Sequence, residues 1–132
     1  MMDRPTGPKL VSAVRRFLEN ELIPTQTDAR LRFQTLIAAN VLAIAEREWQ
    51  RGEELTAADC RWLGRWVGEV GPNQLRDKTE ELCLRIRGGD FDGPDQFRQL
   101  AADVRQSVER KLETANPRYL NAFKGKKMEA EK

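Results

Sequence analysis

Apolar residues recur at intervals of three and four along nearly the whole chain, the spacing that lines one face of an α-helix. No stretch alternates between apolar and polar residues for long enough to indicate a β-strand. Prolines and glycines divide the pattern into five segments. The predicted helices are helix 1 from a cap at Thr6 to about Leu22, helix 2 over about 28–51, helix 3 from Thr56 to Gly71, helix 4 from Asn73 to Gly88 and helix 5 from Gly93 to Pro117.

Local signals set the less obvious of these boundaries. Pro24 disfavours a helical conformation at Ile23, so helix 1 is expected to end there. Thr27 or Asp28 is suited to cap helix 2, and Gly52 is suited to end it in a left-handed conformation. The stretch Thr56-Ala-Ala-Asp59 resembles a capping box that opens helix 3.

Helix 2 is apolar on two opposite faces. Phe33, Ile37 and Ile44 lie on one face, and Leu31, Leu42 and Trp49 lie on the other. Because a helix that is apolar on two sides requires cover on both, we predict that helix 2 is the central buried rod of one antiparallel all-α bundle. The predicted domain covers residues 1–123, with Tyr119, Leu120 and Phe123 folded back onto it. Residues 124–132 form a charged, frayed tail.

Helix 3 contains both tryptophans and glycines, in the stretch CRWLGRWVGEVG. Trp62 and Trp66 belong to a broad apolar arc, and Gly64 and Gly68 lie on the neighbouring sector. Since each glycine inside a helix costs about 0.8–1.0 kcal/mol relative to alanine, we expect close backbone packing on that sector to offset the loss. A dimer contact at the glycines, and glycines that are merely tolerated, are the alternatives.

Asn40 lies in the middle of one apolar face of helix 2, where an unpaired buried amide would cost about 1–3 kcal/mol. We expect it to pair with a neighbouring helix, and the alternative is that it lines an internal pocket. Arg47 and Glu48 lie two turns further on, near the same face. Ion pairs with other helices are expected for them, with ligand or partner binding as the alternative.

Composition and charge exclude several classes of function. Formal net charge is +2, and residues 123–132, with four lysines and two glutamates, carry all of it. The neutral remainder argues against nucleic acid or anionic lipid as a partner. The chain has no histidine, which excludes His-based triads and most transition-metal sites. The acidic loop Gly88–Asp95 lacks the residue order of an EF-hand, so we expect no metal there. Because the sequence also lacks cofactor-binding and nucleophile motifs, we expect no cofactor and no catalytic residues.

Cysteine usage and hydropathy favour a cytoplasmic location. Cys60 and Cys83 are both expected to be reduced core thiols, since a secreted domain of this size would more often have a larger even set. The N-terminus has no apolar signal region, and no apolar stretch approaches the ~20 residues that a membrane span requires.

Three stretches resemble a family of small uncharacterised bacterial proteins classed as a domain of unknown function. These stretches are RPTGPKLVSAVRRFLENELIP, RLRFQTLIAANVLAIAERE and ETANPRYL, and no such motif appears between Leu55 and Asp95. Members of that family are often encoded beside aminoglycoside-phosphotransferase-like kinases and acyl-CoA dehydrogenases. The resemblance implies an accessory role in such metabolism and supplies no catalytic residues. Asn40, Arg47, Glu48, Arg118 and Tyr119 lie within the resembling stretches, so we treat them as candidate ligand or partner contacts.

The sequence as a whole therefore predicts a cytoplasmic helical protein that is more an accessory partner of a metabolic enzyme than an enzyme. The alternative is a small-molecule-binding protein or enzyme with a pocket around Asn40. We expect a monomer or a weak homodimer.

Overall fold

The structure, a computed structural model, describes residues 4–131, and within that range it contains helices and no strand. This confirms the all-α class. The helices are α1 (Gly7–Phe17), α2 (Ala29–Val67), α3 (Leu75–Arg87), α4 (Pro94–Ala115) and α5 (Pro117–Ala130). A π-helical turn, Leu18–Leu22, and a short helix, Ile23–Thr25, extend α1, and a 3₁₀ turn, Pro72–Gln74, precedes α3.

The chain divides into two compact units at Gly52. Unit 1 contains α1, its extension and the first part of α2, and unit 2 contains everything from Glu53 onward. The boundary falls inside α2, where the sequence predicted the end of one helix and the start of the next. The single domain over 1–123 stays a prediction, and residues 1–3 and 132 lie outside the described part of the chain.

The predicted helix end at Gly52 is wrong, because α2 continues without interruption from Ala29 to Val67. Gly52 does not adopt the positive φ of a C-terminal cap. A glycine inside a helix costs only about 1 kcal/mol, and no proline follows it until Pro72. The proposed capping box at Thr56–Asp59 therefore lies in the middle of α2.

Unit 1 brings α1 and α2 together through small and polar contacts. Ala39 and Ile23 are its only buried apolar residues among those described. Arg15 Nε donates to Glu46 at 3.0 Å, and this hydrogen bond, outweighing the effect of burial, raises the pKa of Arg15. At the other end, the Trp49 indole lies so close to Gly7 that a Cβ there would overlap it.

The turn between α1 and α2 differs partly from expectation. Ile23 is helical and buried, so Pro24 does not end the helix at that point. The π-helical turn widens the helix just before Pro24, where the proline has no N–H to donate to the preceding turn. Asp28 caps α2, accepting from the backbone N–H of Arg30 at 2.9 Å and of Leu31 at 3.2 Å, as the sequence indicated.

Unit 2 contains the larger core. Its buried residues come from the end of α2, from α3 and α4 and from the loops between them: Trp62, Leu63, Val67, Val70, Leu82, Phe91 and Leu100. The Trp66 and Phe91 rings meet edge to face with centroids 5.3 Å apart. The predicted apolar arc around Trp62 and Trp66 is therefore the centre of this core.

Gly64 and Gly68, in and just after the last part of α2, have a different role from the one expected. A Cβ at either Gly64 or Gly68 would meet nothing within 4 Å, so close packing on the glycine sector within the chain is wrong. Gly68 has φ +81°, directly after α2 ends at Val67, and this left-handed conformation terminates the helix. Gly64 lies inside α2 beside open space, and a dimer contact at this sector stays a prediction.

In the second half of unit 2, the helix boundaries lie close to the predicted glycines and prolines. Gly89, at φ +85°, follows the end of α3, and α4 begins at Pro94 and ends before Pro117. Asn116 then caps α5, accepting from the Tyr119 N–H at 3.1 Å. Leu120 folds back and is buried, whereas residues 124–130, expected to fray, lie within α5.

The two glycines should respond oppositely to alanine. Gly64→Ala should raise the free energy of unfolding by up to about 1 kcal/mol, because it improves helix propensity in open space. Gly68→Ala should lower it by about 1–2 kcal/mol, because φ +81° strains a residue with a Cβ. Urea denaturation of each variant measures both shifts, and a destabilised Gly64→Ala would reveal a contact at the glycine sector.

Candidate interaction surfaces

One face of α2 in unit 1 is apolar and uncovered. We define the open face of α2 as Phe33, Leu36, Ile37, Asn40 and Val41. The exposed fractions of its apolar members are 63% for Phe33, 48% for Leu36, 48% for Ile37 and 55% for Val41. Helix α1 packs instead on the side that carries Ala39 and Glu46. The described chain therefore leaves this face accessible, and the central buried rod is not confirmed.

The candidate residues of unit 1 lie on or beside this face. Asn40 is exposed, so the expectation that its amide is buried against a neighbouring helix is wrong. Its side chain makes no hydrogen bond to another residue in the range 4–131. Glu48 is also exposed, while Arg47 is half-buried and has an interaction within the chain.

A second apolar surface lies between α4 and α5 in unit 2. We define the α4–α5 groove by its apolar lining, which is Val104, Val108, Leu112, Leu120 and Phe123. Its volume is about 400 Å³. Ala101 also lines the groove, and Arg105, Glu109 and the candidate Tyr119 supply its polar side-chain atoms. The other candidate of this segment, Arg118, is exposed and does not line the groove.

The helices position this groove through the junction between them. One residue, Asn116, separates α4 from α5, and its side chain caps the second helix. Leu120, one turn into α5, is 3% exposed and holds α5 against α4. Val108 and Phe123 remain about half exposed along the groove. The geometry thus places a fixed apolar depression on the surface of unit 2.

A polar network joins α2 to α4 beside the core. The Asp59 carboxylate accepts from Trp62 Nε1 at 3.0 Å and from the buried Ser107 hydroxyl at 3.2 Å, and Arg110 lies 3.9 Å away. A cavity of about 300 Å³ lies beside Asp59, Trp62 and Ser107, and Arg76 and Lys111 also line it. Since the carboxylate already serves two donors and a nearby guanidinium, we assign the network to holding α4 on α2.

Asp103 of α4 accepts from the second core indole, that of Trp66, one turn after Trp62 on α2. Its carboxylate accepts from Trp66 Nε1 at 2.8 Å and pairs with Arg65 at 3.0 Å. The sequence placed Asp59 in a capping box and gave no signal at Asp103, so the role of both aspartates as indole acceptors was not predicted. A usable signal is that indole N–H groups in a core require an acceptor, which points to acidic residues on helices facing Trp62 and Trp66.

The two cysteines differ. Both are free; Cys60 packs partly buried against the core, whereas Cys83 is exposed, so its expected core position is wrong. Cys83 adjoins Leu84 on the exposed side of α3, opposite the buried Leu82.

Within 4–131, no helix combines the length and the apolar character that crossing a bilayer requires. The same residues bring no three of His, Cys, Asp or Glu together in a group suited to a metal ion.

The fold and its surfaces define a small helical protein with two accessible apolar surfaces. The chain belongs to the family described as domain of unknown function (DUF6285), whose model matches residues 25–119. The match starts after the first of the three resembling stretches. It includes the segment between Leu55 and Asp95, so the stretch CRWLGRWVGEVG lies within the family domain. Comparisons with curated proteins and with solved structures found no significant match.

Replacing Asp59 tests whether its network is structural. Asp59→Ala should lower the free energy of unfolding by about 1–3 kcal/mol, because the Trp62 indole and the buried Ser107 hydroxyl lose their acceptor. Glu129→Ala, at an exposed position of α5, serves as the control and should change it by less than about 0.5 kcal/mol. Denaturation followed by tryptophan fluorescence gives both values, and equal effects would contradict the assignment.

Proposed function

We propose that this chain is a non-enzymatic interaction protein that docks onto a metabolic enzyme through the α4–α5 groove. The observation that carries the proposal is the groove itself, an apolar depression of about 400 Å³ with half-exposed Val108 and Phe123 along it. Accessible apolar surface of this kind marks sites of association in folded proteins.

The chemistry of the groove favours an amphipathic helix as the bound element. Its floor consists of aliphatic and aromatic side chains that two adjacent helices hold in place. Arg105 and Glu109 contribute one positive and one negative charge, and these suit the polar flank of an incoming helix. Tyr119, 57% exposed, offers both an apolar ring and a hydroxyl. Helix-in-groove recognition uses this combination of features.

The family resemblance supports the identity of the partner. It points to acyl-CoA dehydrogenases and aminoglycoside-phosphotransferase-like kinases, and the proposed setting is the cytoplasm of a bacterium. The alternative based on a pocket around Asn40 lacks comparable support, since Asn40 is exposed and does not line this groove.

A charge placed in the groove should weaken the binding of the partner. Val108→Asp should weaken binding to the partner by at least about tenfold, because it puts a carboxylate in a desolvated contact. Leu84→Asp is the matched control, since Leu84 is 65% exposed and lies outside the groove. Calorimetric titration of the purified chain with each enzyme of the two proposed classes from the same organism provides the measurement.

The outcomes separate the proposal from its competitors. Binding that Val108→Asp removes and Leu84→Asp retains supports the groove as the docking site. Binding that both variants retain places the contact elsewhere, and no binding to either enzyme class overturns the proposed partner. Stabilisation of the chain by a free acyl-CoA, lost in Val108→Asp, would replace a protein ligand by a small molecule.

A further inference from the structure

The open face of α2 is a second interaction surface, in unit 1, independent of the proposed groove. A seam of residues at alternating intervals of four and three runs along this face and one turn beyond it: Phe33, Ile37, Asn40 and Ile44. That spacing is the repeat by which two helices pack against each other along a seam. Leu36 and Val41 widen the apolar surface on either side.

Asn40 is the unusual member of this seam. Its amide lies among exposed apolar side chains and bonds to no other residue in the described range. An amide carries both donors and an acceptor, so the same amide from a second copy pairs with it through two reciprocal hydrogen bonds. A single asparagine in an apolar seam is known to fix the register and number of associating helices at some cost in stability.

Charge placement sets the direction of the second copy. Arg30 and Glu48 are exposed, have no ion pair within residues 4–131, and lie on the same flank of the open face at opposite ends. An antiparallel pair with its two-fold axis near Asn40 brings Arg30 of each copy beside Glu48 of the other, twice per dimer. In a parallel pair the two-fold axis runs along the helices and places this flank of the two copies on opposite sides of the seam, so Arg30 of one copy does not meet Glu48 of the other.

From these observations we infer that a second copy of this chain occupies the open face of α2, as an antiparallel homodimer centred on Asn40. The exposed apolar area of the face is on the order of 400 Å² per chain, below the roughly 800 Å² per partner of a standard stable interface. The dimer is therefore reversible, and its population rises with concentration over the micromolar range.

Analytical ultracentrifugation of the full chain tests the dimer directly. The wild-type chain is expected to show a concentration-dependent monomer–dimer equilibrium. Ile37→Lys should weaken it by roughly 100-fold, because each dimer contains the buried charge twice. Leu84→Lys is the control, since Leu84 is an exposed apolar residue outside the face. A wild-type chain that is monomeric at every concentration, or equal losses in both variants, overturns the inference.

Charge exchange tests the direction. Arg30→Glu and Glu48→Arg should each weaken the homodimer, since each places like charges opposite each other, and the double variant should restore it. In a parallel pair neither single change places like charges opposite each other at these positions, so unchanged association of both singles overturns the antiparallel arrangement. Circular dichroism of each variant establishes that helix content is retained.

A distance measurement gives an independent readout. Gln50 is exposed, about ten residues from Asn40, and a spin label attached at Gln50→Cys in a Cys60→Ala, Cys83→Ser background reports the separation between copies. At 1.5 Å per residue, the antiparallel dimer places the two labels about 30 Å apart along the helix axes, and a parallel one about 10 Å apart. The shorter separation overturns the inference. Failure of this dimer leaves the α4–α5 groove untouched, because the two surfaces share no residue.

Discussion

The C-terminal end of α2 is the point on which unit 2 depends. A helix leaves its last carbonyls without intrahelical partners, and here cationic side chains of α3 supply them. Arg85 donates to the Trp66 carbonyl at 2.8 Å, and Lys78 lies 3.5 Å from the Val67 carbonyl. Arg85 also lies over the Phe91 ring, 4.9 Å from its centroid, and bonds to Asp90. One residue thus caps α2, packs against the core and holds the loop after α3.

In unit 1, unlike unit 2, most large apolar side chains of α2 are left exposed. Its contacts consist of Ala39, the Arg15–Glu46 pair and the Gly7–Trp49 approach, while Phe33, Ile37 and Val41 remain about half exposed. Helix α1 is too narrow to cover both faces of α2, because one packed helix shields only one stripe of its neighbour. The two-faced pattern that predicted a central rod thus predicts a surface that needs a partner.

Both proposed surfaces follow from the same property of helices packed in a small protein. In the α4–α5 groove, a one-residue junction and the buried Leu120 fix two helices so that an apolar depression stays open between them. On α2, one stripe remains after α1 has packed. The two surfaces differ in what suits them: the groove has a polar rim of mixed charge, and the open face has a self-complementary amide at its centre.

The sequence by itself determined the helical class, the Asp28 cap and the boundaries near Gly88, Pro94 and Pro117, because these depend on local backbone chemistry. The Asn116 cap and the helix that it opens were not predicted. The sequence also did not determine the continuity of α2 through Gly52, since the small cost of one glycine is easily outweighed by the helix around it. Nor did it determine the roles of Asp59 and Asp103, because the Ser107–Asp59 and Trp66–Asp103 contacts depend on how α4 packs on α2. Tertiary structure alone decided that Asn40 is exposed, because periodicity shows that a face needs cover without showing whether the chain itself provides it.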